Sequence, residues 1–334
     1  MEDIESNIMR VMTKFVFGQT KIVFVMLIVM FPVSANAQLL WKITGNGLSK
    51  PSYLFGTMHY APAHFIDSIQ GLRAVMAEVE QVYGEIVSSD TTVNYCTPDE
   101  SVIEMPGDSV LADLYTEEEQ ARINHFYYRL SGFDEAESDF MWYYEEFTPG
   151  ALKSDLITIK HIIMHNVKFV FDSIPSVGFD INFELDAIKN HKAVGALDDP
   201  ELHRSVISDE FNMGKYSLKE QAKGLLIVID HYAEANYELY SLMLNYRSQN
   251  LALFNDIKNI KKRNEEYRKH KERSCQGRNI TWAKKMPAIM EEGSTLFVVG
   301  GAHLGNPKEK RGLLQLLCKA GYTLEPVGKT DKWN

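Results

Sequence analysis

"SYLFGTMHY", Ser52–Tyr60, is an apolar run that closes on Gly56 and reaches His59 three residues later. Near the other end of the chain, "STLFVVGGAHLG", Ser294–Gly305, repeats the pattern with Gly300 and His303. Short apolar runs that stop at glycine read as buried strands entering turns. Glycine there tolerates an unusual φ or a close approach of another backbone. A histidine just past such a strand stands in the crevice where open α/β sheets bind ligands. Two such strands lying side by side would bring His59 and His303 together.

The surroundings of both runs support strands. Around the first, "LLWKITG", "PSYLFGTMH", the stretch "SIQGLRAVMAEVEQ" and "VYGEIVSS" read as strand, strand, helix, strand. Around the second, "RNITWAKKMPAIMEEG", "STLFVVGG", "RGLLQLLCKAG" and "YTLEPVG" read as helix, strand, helix, strand, with Gly293 and Gly321 at helix C-cap positions. Between them, about 109–273, the pattern is helical. Thr116 and Glu119 stand at capping-box spacing, and "SLKEQAKGLLIVIDHYAEANYELYSLMLNYRSQN" holds helical spacing over a long run, its Tyr232, Tyr237 and Tyr240 reading as packing residues. One strand-like piece, "KAVGALDD", interrupts it. The expectation is an α/β (α+β) fold in one domain, 38–334. Its central mixed sheet is built from N- and C-terminal βαβ-like units, with a largely helical middle insertion.

Composition narrows the function. A formal charge of −10 over 334 residues argues against nucleic-acid binding. The basic stretch Lys258–Arg273 is interleaved with Glu265, Glu266 and Glu272 and reads as a solvated helix face. At the N-terminus, Lys21 precedes an apolar run, Ile22–Phe31, and Ala35-Asn36-Ala37. That pattern predicts a signal peptide over 1–37 and export to a periplasmic or extracellular space, with mature protein from Gln38. The alternative is an uncleaved segment that anchors the protein to the membrane. Cys96, Cys275 and Cys318 form no C-x-x-C pair. Export permits one disulfide, and spacing leaves its pairing open.

Glu85 in "VYGEIVSS" falls in an otherwise apolar strand. A carboxylate there must be paired, protonated or bound to a cation. Two imidazoles and a carboxylate suit a divalent cation with open positions, manganese, cobalt or zinc rather than magnesium or calcium. A salt-bridged Glu85 with two capping histidines is the competing reading. Other histidines carry weaker signals. His64 lies in a Pro-flanked loop without motif spacing. His161 and His165 stand at i and i+4 without the glutamate of H-E-x-x-H, and His231 reads as a helix residue. No G-x-S-x-G elbow, Walker A loop or Rossmann glycine pattern occurs.

These segments together resemble the TraB/GumN family, which includes the Tiki metalloproteases. "LLWKITGNGLSKPSYLFGTMH" is similar to the family opening, and "GSTLFVVGGAHLGNPKEKRGLLQLLCKAGYTLEPV" to its ending. "VYGEI" resembles the family strand that ends in glutamate, here Glu85. "GRNITWAKKM" resembles its Arg-Asn and helix, here Arg278 and Asn279. "VGFDINFELDAIKNHKAVGALDD" resembles its middle passage, with Asp180 in place. Asp198 and His203 depart from the family's usual Glu and Gln, and "KEKR", Lys308–Arg311, lengthens the loop after His303. The resemblance implies divalent-metal-dependent hydrolysis of a peptide or protein substrate, with His59, Glu85 and His303 essential. Glu85 would be a ligand or the general base. Arg278 could stabilise an oxyanion, and Asn279 could orient the bound groups. The alternatives are a non-catalytic metal or small-ligand binding protein, and a metal-independent, esterase-like hydrolase using His and Glu.

Overall fold

The structure is a computed structural model that describes residues 38–89, 103–131, 140–158, 160–173, 175–210, 216–250, 272–305 and 310–328. The expected signal segment, Cys96, residues 258–271 of the basic stretch and residues 308–309 of the loop after His303 lie outside the described residues.

The fold is α/β. Six strands, β1 (Leu40–Gly45), β2 (Ser52–Thr57), β3 (Gln81–Gly84), β4 (Ala193–Ala196), β5 (Thr295–Gly300) and β6 (Tyr322–Pro326), form one mixed sheet in the order β4-β3-β5-β2-β1-β6. β4, β3, β5 and β2 run parallel, and β1 is antiparallel to both β2 and β6. The C-terminal strand β5 is thus wedged between two N-terminal strands. Every residue of β2 is buried, as are the first five of β5. Strands covered on both faces read as continuous apolar runs, which is why the sequence shows no alternation there.

The helices are α1 (Leu72–Glu78), α2 (Glu117–Ser131), α3 (Phe140–Tyr143), α4 (Pro149–Thr158), α5 (Lys160–Phe171), α6 (Ile181–Lys189), α7 (Pro200–Glu210), α8 (Leu218–Asp230), α9 (Tyr232–Arg247), α10 (Arg278–Glu292), α11 (Gly301–Leu304) and α12 (Leu313–Lys319). α2 starts at the expected capping box, Glu119 N–H donating to Thr116 Oγ1 at 3.3 Å and Thr116 N–H to Glu119 Oε2 at 2.9 Å. The long helical run from Ser217 is two helices, joined at His231 with φ −108° and ψ 21°. Within that run Tyr237 is 72% exposed and does not pack, contrary to expectation, whereas Tyr240 lies against the core.

Two apolar cores form. The larger one surrounds the sheet and includes Trp41, Phe55, Phe179, Phe183, Tyr246, Trp282 and Phe297. The second lies within the helical middle, around Leu111, Tyr115, Ile123, Tyr127, Phe140, Leu152 and Leu225. The middle of the chain also reaches the sheet: its one strand-like piece becomes the edge strand β4, in register with β3 from Gln81↔Ala193 to Gly84↔Ala196. That pairing gives the middle a place at the carboxyl ends of the parallel strands, the side on which such sheets build sites.

Candidate functional site

The parallel pairing of β2 with β5 sets Thr57 opposite Gly300, so both Gly-x-x-His turns leave the same edge of the sheet side by side. Their glycines are required by proximity rather than by φ, since neither Gly56 nor Gly300 has a positive φ. A Cβ on Gly56 would stand 3.0 Å from Gly301 Cα and 3.0 Å from a Leu304 methyl, so the turn after β5 packs directly on β2. A Cβ on Gly300 would stand 3.3 Å from Glu85 Oε1.

Glu85 lies one residue past β3 rather than inside it. Its carboxylate is engaged on both oxygens, Gly300 N–H donating to Oε1 at 2.7 Å and Arg278 Nη2 donating to Oε2 at 2.5 Å. Arg278, at the start of α10, is 6% exposed and also donates to Asp198 Oδ2, from Nε at 2.8 Å and from Nη2 at 2.6 Å. Asp198 accepts from Trp282 Nε1–H at 2.6 Å, and its Oδ2 stands 3.2 Å from His203 Nδ1. Two carboxylates, the fully buried Asp198 and the largely buried Glu85, therefore share one guanidinium.

His303 sits on α11, buried, its ring 4.4 Å from that of Trp282. Asn279 Nδ2 donates to the carbonyls of His303 (3.1 Å) and Arg311 (2.9 Å), which leaves Asn279 Oδ1 to accept from His303 Nδ1–H at 2.7 Å. The tautomer is fixed by that contact, and the lone pair belongs to Nε2. Nε2 faces Glu85 Oε1 at 3.6 Å and Arg278 Nη1 at 3.4 Å. Cys275 Sγ is 3.7 Å from the same Nδ1 that Asn279 occupies, so it is not set up as a nucleophile.

Electrostatics agree with this assignment. Burial opposes charge on Glu85, but His303, Arg278, His59 and the Gly300 N–H outweigh it and hold the carboxyl far below the usual range. Burial pushes His303 down to about 4; Glu85 opposes that shift and Arg278 adds to it. Burial also opposes charge on Asp198, yet His203 and Arg278 hold its carboxyl low. At neutral pH the cluster is Glu85⁻, Asp198⁻, Arg278⁺ and neutral His303.

His59 is placed differently. Its side chain is 65% exposed and its Nδ1 is paired with Asp180 Oδ2, while its carbonyl accepts from Phe179 N–H at 2.9 Å. Its field reaches both Glu85 and His303. The buried Tyr246 hydroxyl donates to Gly56 O at 3.0 Å and fixes the start of this turn. His64 is exposed on a separate 3-10 turn, and the side chains of His161 and His165 lie outside the described residues.

A cation can be tested against the donors. His303 Nε2 and Glu85 Oε1 are both lone-pair donors, and they face each other. Two ligands of a tetrahedral zinc, each about 2.1 Å from the metal, stand about 3.4 Å apart, close to the 3.6 Å found here. The surplus negative charge of the cluster also suits a cation. Among the described residues no group of three or more His, Cys, Asp and Glu side chains stands at metal-binding spacing. The donor chemistry fits at two points, and His59, whose turn leaves the adjacent strand, is the third residue that the sequence points to.

Sequence reading reached Glu85, Arg278, Asn279 and His303, which the fold joins by direct contacts. It treated Asp198 and His203 only as departures from a pattern. The available signal was an acidic residue closing a strand-like run, "AVGALD", as Glu85 closes "VYGE". Nothing local marked Tyr246. No curated protein and no solved structure is significantly similar to the chain. The opening, the ending and the segments that carry Glu85 and Arg278 all fall within the one stretch matched by a known family, residues 39–326, and on that match the chain belongs to the TraB/PrgY/gumN family.

Proposed function

We propose that the protein is a metal-dependent hydrolase of peptide substrates. The observation that carries the reading is the fixed His303 tautomer, which aims a lone pair at Glu85 across a gap of ligand-to-ligand size. His303 Nε2 and Glu85 Oε1 would hold the cation, with His59 as third ligand. Manganese, cobalt or zinc fits such a mixed imidazole and carboxylate set better than magnesium or calcium. When bound, the cation supplies Lewis acidity, polarising a carbonyl and acidifying water. The chain's own groups do the rest. Glu85, held far below the usual carboxylate range by His303, Arg278, His59 and the Gly300 N–H, stays ionised at neutral pH, which suits a ligand of the cation better than a general base. Arg278 offers the charge that a developing oxyanion needs. Asn279 keeps the imidazole oriented through both turnover and rest.

The N-terminal pattern ending in Ala35-Asn36-Ala37 supports export, with the mature chain beginning at Gln38. One observation favours a second reading, metal-independent hydrolysis. Arg278 already bridges Glu85 and lies 3.4 Å from His303 Nε2, so a cation stands in that corner without any metal.

Metal analysis of the purified protein, followed by digestion of a peptide library with and without EDTA, separates these readings. The expected result is bound transition metal and chelator-sensitive cleavage. His303→Ala should lower cleavage at least about a hundredfold, and adding His59→Ala should lower it little further. EDTA-resistant cleavage selects the second reading. Bound metal without turnover of any substrate makes the protein a binding protein, and full activity in the double variant removes both catalytic readings.

A further inference from the structure

Helix α6 supports the site from behind. It packs on β2 through Phe183, whose ring lies 5.3 Å from that of Phe55. Asp180, just before it, holds His59. One turn on is Glu184, 4% exposed, a carboxylate that neither sequence motif nor family pattern singles out. Its two oxygens accept the consecutive amides of Ser88 (2.7 Å) and Ser89 (2.9 Å), and the Ser89 side chain adds another hydrogen bond. Burial pushes its carboxyl up, those hydrogen bonds pull it down, and the neighbouring Asp180 adds to the upward push.

A buried carboxylate with no cationic partner among the described residues is costly. What the carboxylate adds is a two-oxygen, charge-assisted grip on two successive N–H groups. The segment it grips follows Glu85 by three residues. Before that segment, the backbone is held by the two residues just after β4, with Leu197 N–H donating to Gly84 O and Asp198 N–H to Glu85 O, both at 2.9 Å. Strand pairing thus fixes Glu85's own peptide, and the Ser88–Ser89 grip holds the chain three residues beyond it.

We propose that Glu184 is a positioning residue, which clamps the amides of Ser88 and Ser89 and so holds Glu85 against Arg278 and Gly300. The inference deepens the proposed hydrolase reading by naming what keeps its central carboxylate in place.

The Gly300 amide reports on Glu85 directly, because it donates to Glu85 Oε1. Amide hydrogen exchange at residue resolution on the full chain tests the proposal without a substrate. In Glu184→Gln, one acceptor becomes an amide N–H₂ group. Gly300 should then exchange at least about tenfold faster, as for one lost charge-assisted bond, while Leu296 and Val298 within β5 keep their rates. Glu184→Asp keeps the charge but is one methylene too short to span both amides; it should show the same selective change if the glutamine variant fails to fold. Unchanged Gly300 exchange, or a uniform rise along β5, overturns the proposal. Titration of the same proteins with manganese keeps the two readings apart. A wild type that binds no manganese, and no cobalt or zinc tried in its place, removes the metal-hydrolase reading, and the Gly300 rates still decide the role of Glu184.

Discussion

The two Gly-x-x-His turns have the same spelling and leave adjacent strands at the same level, yet the fold treats them as opposites. At the end of β5 the turn is buried: Asn279 fixes the His303 ring, Trp282 lies along it, and Glu85 and Arg278 face its second nitrogen. At the end of β2 the side chain of His59 is 65% exposed and paired with Asp180 from the helical middle. One histidine is held in place by its buried neighbours and the other is largely open to solvent. A motif of four residues specifies the turn, and the neighbours brought in by tertiary structure specify what its histidine can do.

The contrast breaks most visibly at Arg278. Arg278→Leu leaves Glu85 and Asp198 buried without their shared cation, and it should cost about 3–5 kcal/mol in chemical denaturation. A loss near zero would mean the two carboxylates take up protons or water at no cost, and the buried half of the site would no longer differ from the exposed half.

Acid should find the buried histidine next. His303 is pushed down to about 4, below its ordinary 6.5, so its contribution is complete above about pH 6.5 and is lost as pH falls toward 4. The loss is on the order of 3 kcal/mol over that window. Glu85, also held low, contributes above the ordinary carboxylate range and loses its share only in stronger acid. Melting of the metal-free protein from pH 7.5 to pH 4 should therefore show a steep fall that flattens in His303→Gln. An equal slope in wild type and variant would show that His303 is not the group being charged.

His59→Ala should matter least for stability. An exposed surface pair costs within about 0.5 kcal/mol, measured by the same denaturation experiment. A loss comparable to that at Arg278 would show that the His59–Asp180 contact is structural, and the two turns would be alike after all.

Much of this was legible in one dimension. β2 and β5 announce themselves as apolar runs ending in glycine, because a strand buried on both faces needs no polar alternation. The capping box at Thr116 was readable because its partners are three residues apart. Glu85 stands out among apolar neighbours in the sequence, although it lies past the strand, at the point where the chain leaves the sheet. The break at His231 was not readable, since helical spacing continues through it.

The sequence by itself determined the strands, the turns and the residue types that gather at the crevice, since these follow from local periodicity and from the chemistry of single side chains. Tertiary structure alone decided which of them meet. Arg278 pairs with Glu85 across 193 positions and with Asp198 across 80, and Asp180 reaches His59 across 121. Glu184 grips Ser88 from 96 positions away. Such contacts are set by strand order and helix packing, which place β5 between β2 and β3 and β4 at the edge. No local pattern encodes that order, because the free energy that selects it comes from burying all the strands and helices at once.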